Sequence, residues 1–137
     1  MQISQRSDLQ QMIADYMENG FLDNIIDMFM HDSSLYDLIG TLIQDERVRV
    51  RIGITALMEE LKRLDPGNII SAQKNLIPLL VHADAVVRGD AANLIGIIGD
   101  RSSLPFLKQC LPDIHVGVRT IAEEAIAHIQ THQKSEL

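Results

Sequence analysis

The sequence predicts an all-α fold of about four antiparallel helical hairpins. Three observations lead there. Apolar residues recur with a helical period along the chain, and no stretch alternates as a half-buried strand does. Capping and stop residues cut that pattern into eight segments joined by short connectors. One segment is repeated three times.

The elements follow in order. Leu9, Met12, Ile13, Tyr16 and Met17 fall at i, i+3, i+4, i+7 and i+8; Ser7 with Gln10 reads as a capping-box start, and Gly20 as a left-handed stop. A second helix carries Leu22, Ile25, Ile26 and Phe29 on one face. Asp32-Ser33-Ser34 breaks it and caps a third, whose stripe is Leu35, Leu38, Ile39, Leu42 and Ile43. Asp45 opens a fourth, which runs to about Leu64 and stops at Asp65-Pro66-Gly67. Its apolar residues (Val48, Val50, Ile52, Ile54, Leu57, Leu61) lie on more than one side, as suits a helix packed between others. Asn68 begins a fifth segment ending near His82, with Pro78 expected to kink it. Asp84 caps a sixth, stopped by Gly99. Ser102 or Ser103 starts a seventh with Pro105 in its first turn, and the eighth runs from about His115 to Ile129.

The repeated segments are DERVRVRIGITALMEEL from Asp45, DAVVRGDAANLIGIIGD from Asp84 and HVGVRTIAEEAIAHI from His115. Aligned on Val48-Arg49, Val87-Arg88 and Val118-Arg119, they are spaced by 39 and 31 residues, and the extra eight fit the inserted DPGNIISA. In this register Ile52/Ala91/Ala122 and Ala56/Ile95/Ile126 correspond. The chain reads as one domain over 1–137. Residues 1–44 form a degenerate repeat or an N-terminal cap, 45–130 the repeats and 131–137 a polar tail.

From Asp84 onward the chain resembles the HEAT and HEAT-like (phycobilisome-lyase type) repeat. The residues that carry the resemblance are Asp84, Val87-Arg88, Ala91-Ala92, Leu94-Ile95-Gly96, Ile98-Gly99-Asp100, Leu104-Pro105, Leu107, Leu111 and Asp113. Asp45–Leu61 matches more loosely, and 1–44 only in helical pattern. The resemblance implies a right-handed α-α superhelix, an α-solenoid whose second helices line a concave binding face. It also implies a structural ladder of Asp and Arg residues between repeats, here Asp45, Arg49, Asp84, Arg88 and Arg119, with His115 standing where the last Asp would be. Gly96 is expected to let a neighbouring helix approach closely.

Charge narrows the partners. Residues 1–45 hold eight acids against Arg6 alone, whereas 46–137 hold eleven acids and eleven bases, so the whole net charge of −7 lies in the first third. Phosphate binding needs the opposite sign, and Trp is absent, so nucleic acid is not an expected partner. No apolar run reaches the roughly 20 residues of a membrane span. Cys110 lies on the apolar stripe Leu104, Leu107, Leu111, which makes it a small core residue; a lone cysteine also suits a reducing cytoplasm.

Positions that differ between repeats are free to specialise. Beside each Val-Arg these are Arg47, Val50, Arg51 and Ile54; Val86, Gly89, Asp90 and Asn93; and Gly117, Thr120, Ile121 and Glu124. The candidate partner-binding face is drawn from them: Arg47, Val50, Arg51, Ile54, Asp90, Asn93, Thr120, Ile121 and Glu124. Glu124, His128 and His132 form a column at i, i+4, i+8 that could chelate a metal, but histidines near a helix C-terminus are also favourable with the dipole. No nucleophile elbow, phosphate loop or Cys-x-x-Cys occurs. The expected function is that of a cytoplasmic, non-catalytic interaction module or scaffold, without cofactor or metal, acting as a monomer or weak homo-oligomer on another protein. The alternative is a HEAT-like accessory factor acting on a prosthetic group or its carrier, as phycobilin lyases do.

Overall fold

A computed structural model describes residues 3–135, with side chains over 5–132. All regular structure among the described residues is helical. The α-helices are α1 (Ile3–Glu18), α2 (Leu22–His31), α3 (Ile39–Leu42), α4 (Val48–Leu64), α5 (Gln73–Leu76), α6 (Ala85–Ile98), α7 (Leu104–Lys108) and α8 (Val116–Ser135). 3₁₀ turns at Ser33–Leu38, Ile69–Ala72, Ile77–Val81 and Arg101–Ser103 lead into or out of the short ones. The chain divides into two compact units, Met1–Ile69 and Ile70–Leu137.

In the first unit α1 and α2 both pack on α4. The turn between α1 and α2 is a Schellman motif. Gly20, at φ +83°, donates its N–H to the Met17 carbonyl, and Phe21 donates to that of Tyr16. The rings of Phe21 and Tyr16 meet edge-on at 5.6 Å, the hydrophobic contact that accompanies this cap. The core gathers Ile13, Ile25, Phe29, Leu35, Ile39, Leu42, Ile43, Ile54, Leu57, Met58 and Leu61. At its centre Tyr36 is fully buried, its ring edge-on to Phe29 at 5.2 Å. Its hydroxyl donates to Asp65 Oδ2 at 3.0 Å, which ties the 3₁₀ turn to the end of α4. Burial and this carboxylate push the phenol pKa up. Helix α1 crosses α4 at Gly53, where a Cβ would meet the Met17 side chain.

In the second unit α6 lies between α8 and the Ile77–Val81 turn, and α7 packs on α8. Asp84 caps α6 by accepting from Val86 N at 2.9 Å, and Gly99, at φ +74°, ends it. Helices α6 and α8 run side by side in the same direction. A Cβ on Gly96 would stand 2.8 Å from Ala125 Cβ, so the glycine sets how closely the two helices meet. Cys110 is buried among these helices, and burial raises its thiol pKa.

Several boundaries differ from expectation. Helix α1 starts at Ile3, so Ser7 lies inside it and caps nothing. Helix α8 runs past the expected end at Ile129 to Ser135, through residues that are all tolerated in a helix. Pro78 sits in the first positions of a 3₁₀ turn, where its missing N–H is harmless, instead of kinking a helix. Helix α4 is not buried on several sides: Val50, Ile54, Leu57 and Leu61 are in the core, whereas Val48 and Ile52 are exposed.

Candidate functional site

The repeat is best located by its turns. Before α6, Arg88 Nη1 donates to the carbonyls of His82 (2.8 Å) and Ala83 (3.1 Å). Before α4, Arg51 Nη1 donates to those of Asp45 (3.0 Å) and Glu46 (3.1 Å). Before α8, Arg119 Nη1 donates to that of Asp113 at 2.6 Å. In each case the arginine is the fourth residue of its helix and folds back over the turn that leads into it. The residue six before it accepts a backbone N–H two residues on: Asp45 from Arg47 (2.9 Å), His82 through Nδ1 from Asp84 (3.0 Å) and Asp113 from His115 (2.9 Å).

The equivalent arginines are therefore Arg51, Arg88 and Arg119, which corrects the alignment on Arg49 by two residues. Burial agrees: Val50, Val87 and Val118 are buried, as are Ile54, Ala91 and Ala122, while Val48 and Ile52 are 57% and 64% exposed. Arg49 itself lies exposed on α4. The acids shift likewise. Asp84 caps its own helix, and the partner of Arg88 is Asp113, reached by Nε (2.8 Å) and Nη2 (3.0 Å) in a two-pronged pair. Both side chains are about nine-tenths covered. The Arg88 hydrogen bonds, helped by the His115 N–H, lower the Asp113 pKa to about 2. Asp113, not His115, supplies this acid.

The shifted register changes the candidate face in the first unit. Val50 and Ile54 are fully buried and form core, not surface. Arg51 is spent on the turn carbonyls. Arg47 is paired with Asp45 (3.0 Å) and Asp15 (3.0 Å), and these hydrogen bonds hold its pKa up and that of Asp45 down.

In the second unit four of the five candidates come together. Asp90 and Asn93 on α6 and Ile121 and Glu124 on α8 line an outward-facing groove between the two helices. Thr120 lies outside it and returns its hydroxyl to the Val116 carbonyl. The groove holds two hollows on either side of Ile121. One, of about 270 Å³, is framed by Ala85, Val86, Gly89 and Asp90 on α6 and by Gly117, Val118 and Ile121 on α8, with His115 just before α8. The other, of about 250 Å³, is framed by Asn93, Gly96, Ile97, Glu124, Ala125 and His128. At Gly89 an added Cβ would meet the tip of Ile121 at 3.3 Å, and at Gly117 it would meet nothing within 4 Å. Ile97, Ala125 and His128 were not among the candidates. No sequence signal marks them, because their part in the groove depends on how α6 and α8 lie side by side. No group of three or more His, Cys, Asp or Glu among the described residues could hold a metal ion.

Fold and surface together define an α-helical repeat protein with a groove between neighbouring helices of its second unit. A family model for HEAT repeats matches residues 35–127, well over half of the chain. The chain belongs to the HEAT-repeat family, whose repeats generally mediate protein–protein interaction. No curated protein matches it. Helices α1 and α2 lie outside the matched residues. No helix among the described residues is long and apolar enough to cross a membrane.

Proposed function

We propose that this chain is a non-catalytic protein–protein interaction module, built of four antiparallel hairpins, that receives a protein partner in the α6/α8 groove. The observation that supports this reading is the groove itself. It leaves apolar floor open to solvent, with Val86 half exposed and Ile121 partly so, beside polar Asn93 and Glu124 at its rim. Interfaces combine such an apolar centre with a polar rim. The family's general role in protein association points the same way.

Affinity capture from native extract, comparing wild type with an Asn93→Arg/Ile121→Asp double variant, tests the reading. The variant should lose captured proteins that wild type retains, while its circular dichroism and melting temperature stay close to wild type. A variant that folds and captures the same proteins at the same yield would refute the assignment to this groove.

A further inference from the structure

Six of the eight positions that line the first hollow, all but Ala85 and His115, recur seven residues on in the second. Val86, Gly89 and Asp90 of the first correspond to Asn93, Gly96 and Ile97 of the second on α6. Gly117, Val118 and Ile121 correspond to Glu124, Ala125 and His128 on α8. Seven residues of helix advance by about 10.5 Å, two turns, so the hollows lie about that far apart along the groove. Holes that repeat every seven residues between two parallel helices are what a third helix fills when its apolar side chains recur at the same interval. Ile121 borders both hollows and stands between them, so an occupant must carry a small residue midway.

Charge selects further. Each hollow has one carboxylate and one histidine on its wall, Asp90 with His115 in the first and Glu124 with His128 in the second, and no Lys or Arg lines either. Glu124 is exposed at the rim. We infer that the occupant is an amphipathic helix with large apolar residues at i and i+7, a small residue at i+3 or i+4, and Lys or Arg flanking the apolar stripe. This rests on the groove being the partner site and adds what kind of segment enters it. The mode is helix-in-groove recognition, with two anchors setting register and the carboxylates setting sign.

The probe is a lactam-stapled synthetic helix of about fifteen residues, enough for stable helicity once stapled. It carries Leu at i and i+7, Ala at i+3 and i+4, and Lys at the flanks. One control moves the second Leu to i+5; another replaces every Lys by Glu. Binding to the full chain is read by fluorescence anisotropy and by NMR shifts. The Lys peptide should move the resonances of Gly89, Gly96, Ile121 and Ala125, and each control should bind about tenfold more weakly or worse. Glu124→Lys, an exposed change that spares the fold, should reverse the preference between Lys and Glu peptides. Equal binding by the i+5 peptide, shifts outside the groove, or no binding at all would overturn the inference. If it fails while Asn93→Arg/Ile121→Asp still abolishes capture of the native partner, the groove stands and the helix chemistry is wrong. If that double variant captures normally, the partner-site reading itself has failed.

Discussion

Gly96 is where the repeat interface is most sensitive to one added carbon. A Cβ there would lie 2.8 Å from Ala125 Cβ and 3.2 Å from Ala125 Cα, against the 3.5–4.0 Å of an ordinary carbon contact. Backbone stands in the way, so α6 and α8 would have to part by about 1 Å and give up dispersion along the whole contact. Overpacking costs about 1–3 kcal/mol, and meeting backbone puts it at about 2–3 kcal/mol here, offset by about 1 kcal/mol for replacing a helical glycine with alanine. Gly96→Ala should therefore destabilise by about 1–2 kcal/mol in all. Gly89, on the same helix and lining the same groove, is the control. Its added Cβ would meet only the tip of Ile121 at 3.3 Å, which can rotate aside. Gly89→Ala should be neutral or gain about 0.5 kcal/mol from propensity. The two variants should differ by about 1–2.5 kcal/mol, a melting-temperature gap of roughly 4–10 °C. Urea unfolding at unchanged m-value checks the same difference. Adding Ala125→Gly to Gly96→Ala should recover stability relative to the sum of the single changes, as residues in contact do. A Gly96→Ala protein as stable as Gly89→Ala would refute the close approach.

Other outcomes are expected. Ile54→Ala should cost about 2–4 kcal/mol because the side chain is fully buried, while Ile52→Ala, two residues away and largely exposed, should stay within about ±0.5 kcal/mol; chemical denaturation separates them. Tyr36→Phe keeps the packing but removes the bond to Asp65, for a loss of about 1 kcal/mol in the same assay. Asp113 titrates at about 2 in the fold, below the ordinary carboxylate value of about 3.9, so its pairing with Arg88 stabilises the protein above about pH 4 and is lost as pH falls towards 2. In Arg88→Gln the Asp113 carboxyl should titrate nearer its ordinary value, by carbon-detected NMR, and acid unfolding should lose that contribution. Arg88→Lys keeps the charge but not the two-pronged geometry, and its melting temperature should fall as well.

Much of the architecture was legible because it rests on local chemistry. Gly20 and Gly99 adopt the left-handed conformations their positions suggested, and Asp32 and Asp84 accept N–H groups of the turns they precede. The third, fifth and seventh segments are found where their apolar stripes lie, but mostly as 3₁₀ turns around short α-helices. Their pattern is the same at four residues or fourteen, so sequence period alone does not give the length. The Tyr36–Asp65 bond was not legible, since nothing near either residue announces a partner 29 positions away. Nor were Ile97, Ala125 and His128, whose part in the groove depends on how α6 and α8 are placed side by side.

The error at the first repeat has a definite physical form. The run Val48-Arg49-Val50-Arg51 offers two Val-Arg pairs, and a match on the dipeptide cannot choose between them. Two residues rotate an α-helix by about 200°, so the wrong choice exchanges core for surface along the whole of α4. A match at Arg49 therefore puts Val50 and Ile54, which are core, on the surface and sets the exposed Ile52 against the buried Ala91 and Ala122. What settles the register is the turn. An arginine that folds back on the helix entrance must sit six residues after the side chain that caps that turn, and only Arg51 stands so with respect to Asp45. In the second and third repeats no second Val-Arg competes, the offset of 31 holds from Arg88 to Arg119, and the surface positions read from it meet in one groove except for Thr120. Variation between repeats thus located a shared surface only where a cap-to-arginine spacing had first fixed which way each helix faces.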